Sequence, residues 1–229
     1  MTYDAILEWL KTQHDPAAVA GMARYGIVGR EVFGVKVPEL RRLARETGRD
    51  HDLARQLWAY PSRETRVLAT MVDHWRWVDE AQMESWVMDF DSWEICDQAC
   101  GNLFGHTLLA YTKAFEWSGR PEEFVKRAGF VLMAELAHRD MKTSDADLIA
   151  FLPIIEREAG DGRNFVKKGV NWALRDIGKR NLALNTQAIA VAERLVAHPA
   201  PSARWNGRDA LRELSSDKVQ AMLRARAGR

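Results

Sequence analysis

Long apolar runs are missing from this sequence. The longest uncharged apolar stretch, Leu148 to Ile155, has eight residues and contains Pro153, whereas a membrane-spanning helix needs about 20. Asp4 and Glu8 interrupt the first ten residues, unlike the basic and then apolar pattern of a secretory signal. A cytoplasmic protein with no membrane partner is expected. Cysteine is scarce as well. Cys96 and Cys100 stand four apart on one side of a helix, which suits small buried side chains better than a disulfide, and no second pair completes a zinc site. Among the histidines, His14, His51, His74, His106, His138 and His198, no two have the spacing of a helical metal pair. Neither metal nor cofactor is expected. Alternating β-branched runs, the mark of strands, do not stand out either.

What is present is helical periodicity. Ile6, Leu7, Trp9 and Leu10 form a first stripe, and Pro16 and Pro38 open further helices, since proline is tolerated in the first turn. Helical segments follow over Leu53–Trp58, Ser62–Trp77, Glu80–Phe90, Ser92–Phe104, Thr107–Trp117 and Pro121–His138, then after Ser144, and over 163–180, 185–198, 201–214 and 216–226. The fold class is therefore all-α, with about fourteen helices and no sheet. Phe124-Val125-Lys126-Arg127-Ala128-Gly129 is echoed 41 residues later by Phe165-Val166-Lys167-Lys168-Gly169-Val170, and Ala173-Leu174-Arg175-Asp176-Ile177 is echoed 37 later by Ala210-Leu211-Arg212-Glu213-Leu214. Offsets near 40 are the period of HEAT-like or armadillo-like helical hairpins, which bury their faces by stacking. One α-solenoid domain over residues 1–229, curved around a concave binding face, is expected, and a monomer.

The formal net charge is only +1, but it is unevenly spread. Residues 163–229 sum to +9 and residues 1–162 to −8. A basic C-terminal third suits a surface that meets a polyanion, and equally a solvated face. Three segments carry candidate chemistry. In Ser92-Trp93-Glu94-Ile95-Cys96-Asp97, Trp93 and Asp97 lie about 40° apart around a helix. An aromatic plane beside a carboxylate suits a cationic planar substrate with charge developing nearby, although on spacing alone a core tryptophan beside an exposed aspartate explains the pair better. Lys126 and Arg127 could grip phosphate, but a solvated or salt-bridged arginine is the commoner case. Lys168, Trp172, Arg175 and Lys179, spaced 4, 3 and 4, put an indole in the centre of a basic helix face. Binding of nucleic acid and simple solvation around a core tryptophan are about equally good explanations of it.

Together these segments resemble the AlkD-like family of DNA alkylation repair proteins. Phe165 to Asn181 resembles the family's basic segment with its Trp-x-Leu-Arg-acid core. Ser92-Trp93 with Asp97 resembles its Ser-Trp-x-x-x-Asp helix, Arg127 before a small residue resembles its helix arginine, and Phe33-Gly34-Val35-Lys36-Val37-Pro38-Glu39-Leu40-Arg41 resembles its opening motif. The likeness runs from about Phe33 to Leu214, and Phe124 stands where many members carry tryptophan. The resemblance implies a stack of HEAT-like hairpins that binds duplex DNA and excises cationic N3- and N7-alkylated purines. It also implies roles. Trp93 and Trp172 would pack against the lesion's deoxyribose, Asp97 would stabilise the oxocarbenium and position water, and Arg127 would hold the backbone. Lys126, Lys167, Lys168, Arg175, Lys179, Arg180, Lys36, Arg41 and Arg66 would supply further phosphate contacts. A carboxylate without a Schiff-base amine implies a monofunctional glycosylase. A non-catalytic DNA-binding paralogue and a protein-interaction scaffold are the alternatives.

Overall fold

The computed structural model of the protein describes residues 1–138 and 143–228. Fourteen α-helices occupy these residues: α1 (Tyr3–Thr12), α2 (Pro16–Ala23), α3 (Val37–Thr47), α4 (His51–Ala59), α5 (Arg63–Val72), α6 (Glu80–Met88), α7 (Trp93–Asn102), α8 (Ala110–Ser118), α9 (Glu123–His138), α10 (Asp145–Glu158), α11 (Asn164–Gly178), α12 (Leu182–Val196), α13 (Pro201–Leu214) and α14 (Asp217–Ala227). A short 3-10 turn spans Phe104–His106, and the described residues hold no strand beyond one isolated bridge between Glu31 and Ser62. No helix among them is long and apolar enough to cross a membrane. The all-helical expectation is met.

Local chemistry sets the helix starts. Ser62, Ser92, Ser144, Asn181 and Ser216 cap α5, α7, α10, α12 and α14 through side-chain oxygens that accept backbone N–H groups. The segments expected over Thr107–Trp117 and 185–198 run over Ala110–Ser118 and Leu182–Val196, and one boundary departs further from the periodicity. The segment expected to run from Ser62 to Trp77 stops at Val72, because Asp73 turns extended. Its buried carboxylate is taken by His51 Nδ1 at 2.7 Å and Gln82 Nε2 at 2.7 Å from other elements, and by the adjacent His74 amide at 2.6 Å.

The helices gather into two compact units, Met1–Leu109 and Ala110–Arg229. In the first, α4 packs on α5, and α5 packs on both α3 and α7, around Leu40, Leu57, Val67, Leu68 and Val72. Trp58 stacks on Trp86 with ring centroids 4.0 Å apart. In the second, α8 pairs with α9 and α12 with α13, while α11 lies between α9 and α13. The equivalent helices α9, α11 and α13 begin at 123, 164 and 201, which reproduces the 41- and 37-residue offsets of the sequence. Phe124 and Phe165, paired by the first offset, meet with centroids 5.5 Å apart.

Close approach of α8 and α9 depends on Gly129. A Cβ there would lie 2.4 Å from the Ser118 backbone nitrogen, and backbone cannot step aside as a flexible side chain can. Gly129→Ala should therefore cost at least about 1–3 kcal/mol through overpacking, read as a lower urea midpoint. Full stability in that variant would mean that the two helices are not held this closely.

An acid-labile lock ties α9 to the turn after α10. Lys126 Nζ lies 2.5 Å from Glu158 and 3.2 Å from Asp161, and Arg163 lies 2.6 Å from Asp161. Burial pushes the Asp161 carboxyl up, but hydrogen bonds from Arg163 and Lys126 overcome it and bring its pKa from 3.8 down to about 2. A depressed carboxylate adds stability above its unfolded value and loses it as the pH falls through the folded one. The contribution, about 1 kcal/mol after screening, should disappear between pH 4 and pH 2. Asp161→Asn should flatten the fall in unfolding free energy across that window. The same fall in wild type and variant would refute the assignment.

Candidate functional site

The frame of the first unit is a buried charge network that begins at the Phe33-Gly34-Val35 motif. The Glu64 carboxylate, 0% exposed, accepts the amides of Phe33 at 3.0 Å, Gly34 at 2.9 Å and Val35 at 3.2 Å. Gly34 has φ +87°, and a Cβ would stand 2.7 Å from the Asp15 carbonyl oxygen, so only glycine lets the chain turn here. Arg63, 2% exposed, donates to the Val35 carbonyl at 2.6 Å and forks onto Glu94 at 2.6 and 2.8 Å. Burial opposes the Arg63 charge, but Glu94 and Glu64 outweigh it and hold the guanidinium above its ordinary pKa.

Glu94 sits on α7, so this network fixes the helix that carries Trp93 and Asp97. Both are half-buried, whereas Glu94, about 100° from Trp93 and about 60° from Asp97 around the helix, is buried. The Trp93 indole N–H donates to the Tyr25 carbonyl at 2.8 Å, which sets its ring plane from a residue 68 positions away. Nearby in sequence, burial pushes the Asp91 carboxyl up in spite of Arg66. Glu94 is committed to the fold through Arg63.

In the second unit Trp172 lies half-buried on α11, and its indole N–H donates to Asp176 Oδ2 at 2.8 Å. Asp176, 9% exposed, also meets Lys179 at 2.7 Å. Lys179 bonds Glu213 at 3.0 Å, and Arg175 pairs with Glu213 as well. Burial disfavours the Lys179 charge, yet Asp176 and Glu213 raise its pKa above the ordinary value. Trp172, Asp176, Lys179, Arg180, His138 and Arg226 are among the walls of a groove of about 1030 Å³.

The basic face read from α11 is thus largely internal charge compensation. Of its four members Lys168 is exposed, Arg175 and Lys179 hold carboxylates of α11 and α13, and Trp172 is anchored to one of them. Arg127 is 5% exposed and donates to the Phe165 carbonyl at 2.7 Å, so a phosphate contact would have to share or exchange that bond. Lys126 is buried in the Glu158–Asp161 lock. Arg180 donates to the Ala137 carbonyl at 3.1 Å. Arg66 donates to the Asp89 carbonyl at 2.8 Å and lies over the Trp58 ring. Lys36 and Arg41 are exposed, and Lys167 is half-exposed. Sequence reasoning missed Tyr25 and Asp176, the two indole anchors. Asp176 was legible, four residues after Trp172, whereas the Tyr25 carbonyl had no local signal. Among the described residues no three His, Cys, Asp or Glu side chains are grouped to hold a metal.

Helical hairpins recurring near 40 residues define an all-helical repeat protein. A solved structure described as a new family of proteins related to the HEAT-like repeat DNA glycosylases, with affinity for branched DNA structures, superposes with a TM-score of 0.75 over 84% of this chain and 83% of that one, at 16% identity. That likeness shows a HEAT-like fold. A second solved structure, an engineered protein, reaches a TM-score of only 0.39 at 12% identity and adds nothing. No curated protein sequence matches. The profile of the DNA alkylation repair enzyme family matches residues 6–214, and the chain belongs to that family.

Proposed function

We propose that the protein is a monofunctional DNA glycosylase acting on cationic N3- and N7-alkylated purines in duplex DNA. The observation that carries this reading is the Trp93–Asp97 pair. An aromatic of fixed orientation and a carboxylate share one face of a helix that a buried ion pair holds in place. Alkylation of the ring nitrogen makes the base a cation, so the C1′–N9 bond breaks with its electron pair leaving on the base, which becomes neutral. Positive charge moves to the sugar, where the Asp97 carboxylate stabilises it. Water adds to C1′ and gives up its proton, leaving an abasic strand and the free base.

In this reading Trp93 and Trp172 pack against the deoxyribose. Lys36, Arg41, Lys167 and Lys168 supply phosphate contacts from exposed or half-exposed positions. Arg127 orders the start of α11 through Phe165 and meets the backbone at that edge. The test is release of free base from a duplex carrying N7-methylguanine, by wild type and by Asp97→Asn, with binding followed in parallel. Release by the wild type alone supports the reading. Binding without release by either protein would favour a non-catalytic DNA binder.

A further inference from the structure

A second aromatic and basic surface lies on α13. Trp205 remains 41% exposed although the Lys167 ammonium sits 4.7 Å from its ring centroid. Arg204, Arg208 and Arg212 stand four residues apart on the same helix, spanning about 12 Å along its axis and about 80° of arc. With Trp205 and Asp209 they border a hollow of about 440 Å³. Arg208 and Arg212 are exposed, Arg212 pairs with Asp209, and Arg204 donates to the His198 carbonyl at 3.1 Å. Lys167 stands over the indole, and three arginines with a single carboxylate line the hollow beside it.

This chemistry fits a nucleotide better than a peptide. Phosphates match the excess cations, and an indole offers a plane on which any base stacks regardless of sequence. Inside an intact duplex each base face is already covered by its neighbours, so an exposed tryptophan finds a free face only where a strand is unpaired. We propose that Trp205, Lys167, Arg204 and Arg208 form a subsite for an unpaired nucleotide of a DNA strand, with its base stacked on Trp205 and its phosphates held by the arginines. The inference rests on the reading that the protein binds DNA, and adds to it a preference for DNA with a single-stranded portion.

The test compares the affinity of the full chain for a blunt duplex and for the same duplex extended by a short single-stranded overhang, at one salt concentration. The wild type should prefer the overhang. Trp205→Ala should lose about tenfold to a hundredfold on the overhang DNA, with the blunt duplex unaffected, and Trp205→Phe should keep most of the preference. Arg208→Ser should lower the salt slope on overhang DNA by about 0.7. Trp205 is exposed, so circular dichroism should show both variants folded. Equal affinity of the wild type for the two DNAs, or an undiminished preference in Trp205→Ala, overturns the subsite and leaves the glycosylase reading standing. Failure to bind either DNA overturns both, and a protein partner for this face would then be sought.

Discussion

Asp97→Asn should cut base release from an alkylated duplex by at least about a hundredfold, or about 2.7 kcal/mol of transition-state stabilisation, while duplex affinity changes little. The amide keeps the size and polarity of the side chain and removes only its charge. In the ground state the alkylated base is the cation. In the transition state positive charge has shifted to the sugar, so a carboxylate placed beside C1′ gains attraction as the bond breaks. Loss of that charge therefore lowers turnover rather than binding. Single-turnover rates and binding curves on the same duplex separate the two. Equal losses in both would make Asp97 a binding or folding residue, and no loss in either would remove it from the chemistry.

Glu94→Ala should lower stability by about 3–5 kcal/mol, because it strands most of a buried guanidinium. Arg63 would keep Glu64 and the Val35 carbonyl but lose the carboxylate that takes two of its hydrogen bonds. For a chain of this length the loss corresponds to roughly 10 °C or more in melting temperature. Removing both charges together, with Arg63→Met and Glu94→Leu, should recover much of it, since the penalty lies in the uncompensated charge more than in the missing attraction. A Glu94→Ala variant within about 1 kcal/mol of wild type would show that the network does not hold α7.

Helix periodicity and the 41- and 37-residue echoes were enough to read α9, α11 and α13 as equivalent members of a repeat, because stacking faces need apolar residues at fixed local spacing. Caps such as Ser62 and Ser92 were likewise local. The stop of α5 at Val72 was hidden, since His51 and Gln82, which claim Asp73, are distant in sequence. The candidate site was legible in the same uneven way. The common face of Trp93 and Asp97 follows from four-residue spacing. The burial of Arg127 and the engagement of Arg175 and Lys179 by Glu213 do not, because a sequence shows a cation but not the carboxylate that another hairpin brings to it. The acids at 135, 176 and 213 occupy equivalent repeat positions, and that pattern was the one available warning that a basic face would be answered from within.

Catalysis is read without ambiguity by chromatographic detection of free base from an N7-methylguanine duplex incubated with the wild-type protein, with the strand examined before and after alkali. Free N7-methylguanine should appear, with a strand that breaks only on alkali treatment. An intact lesion on DNA that the protein demonstrably binds would contradict it.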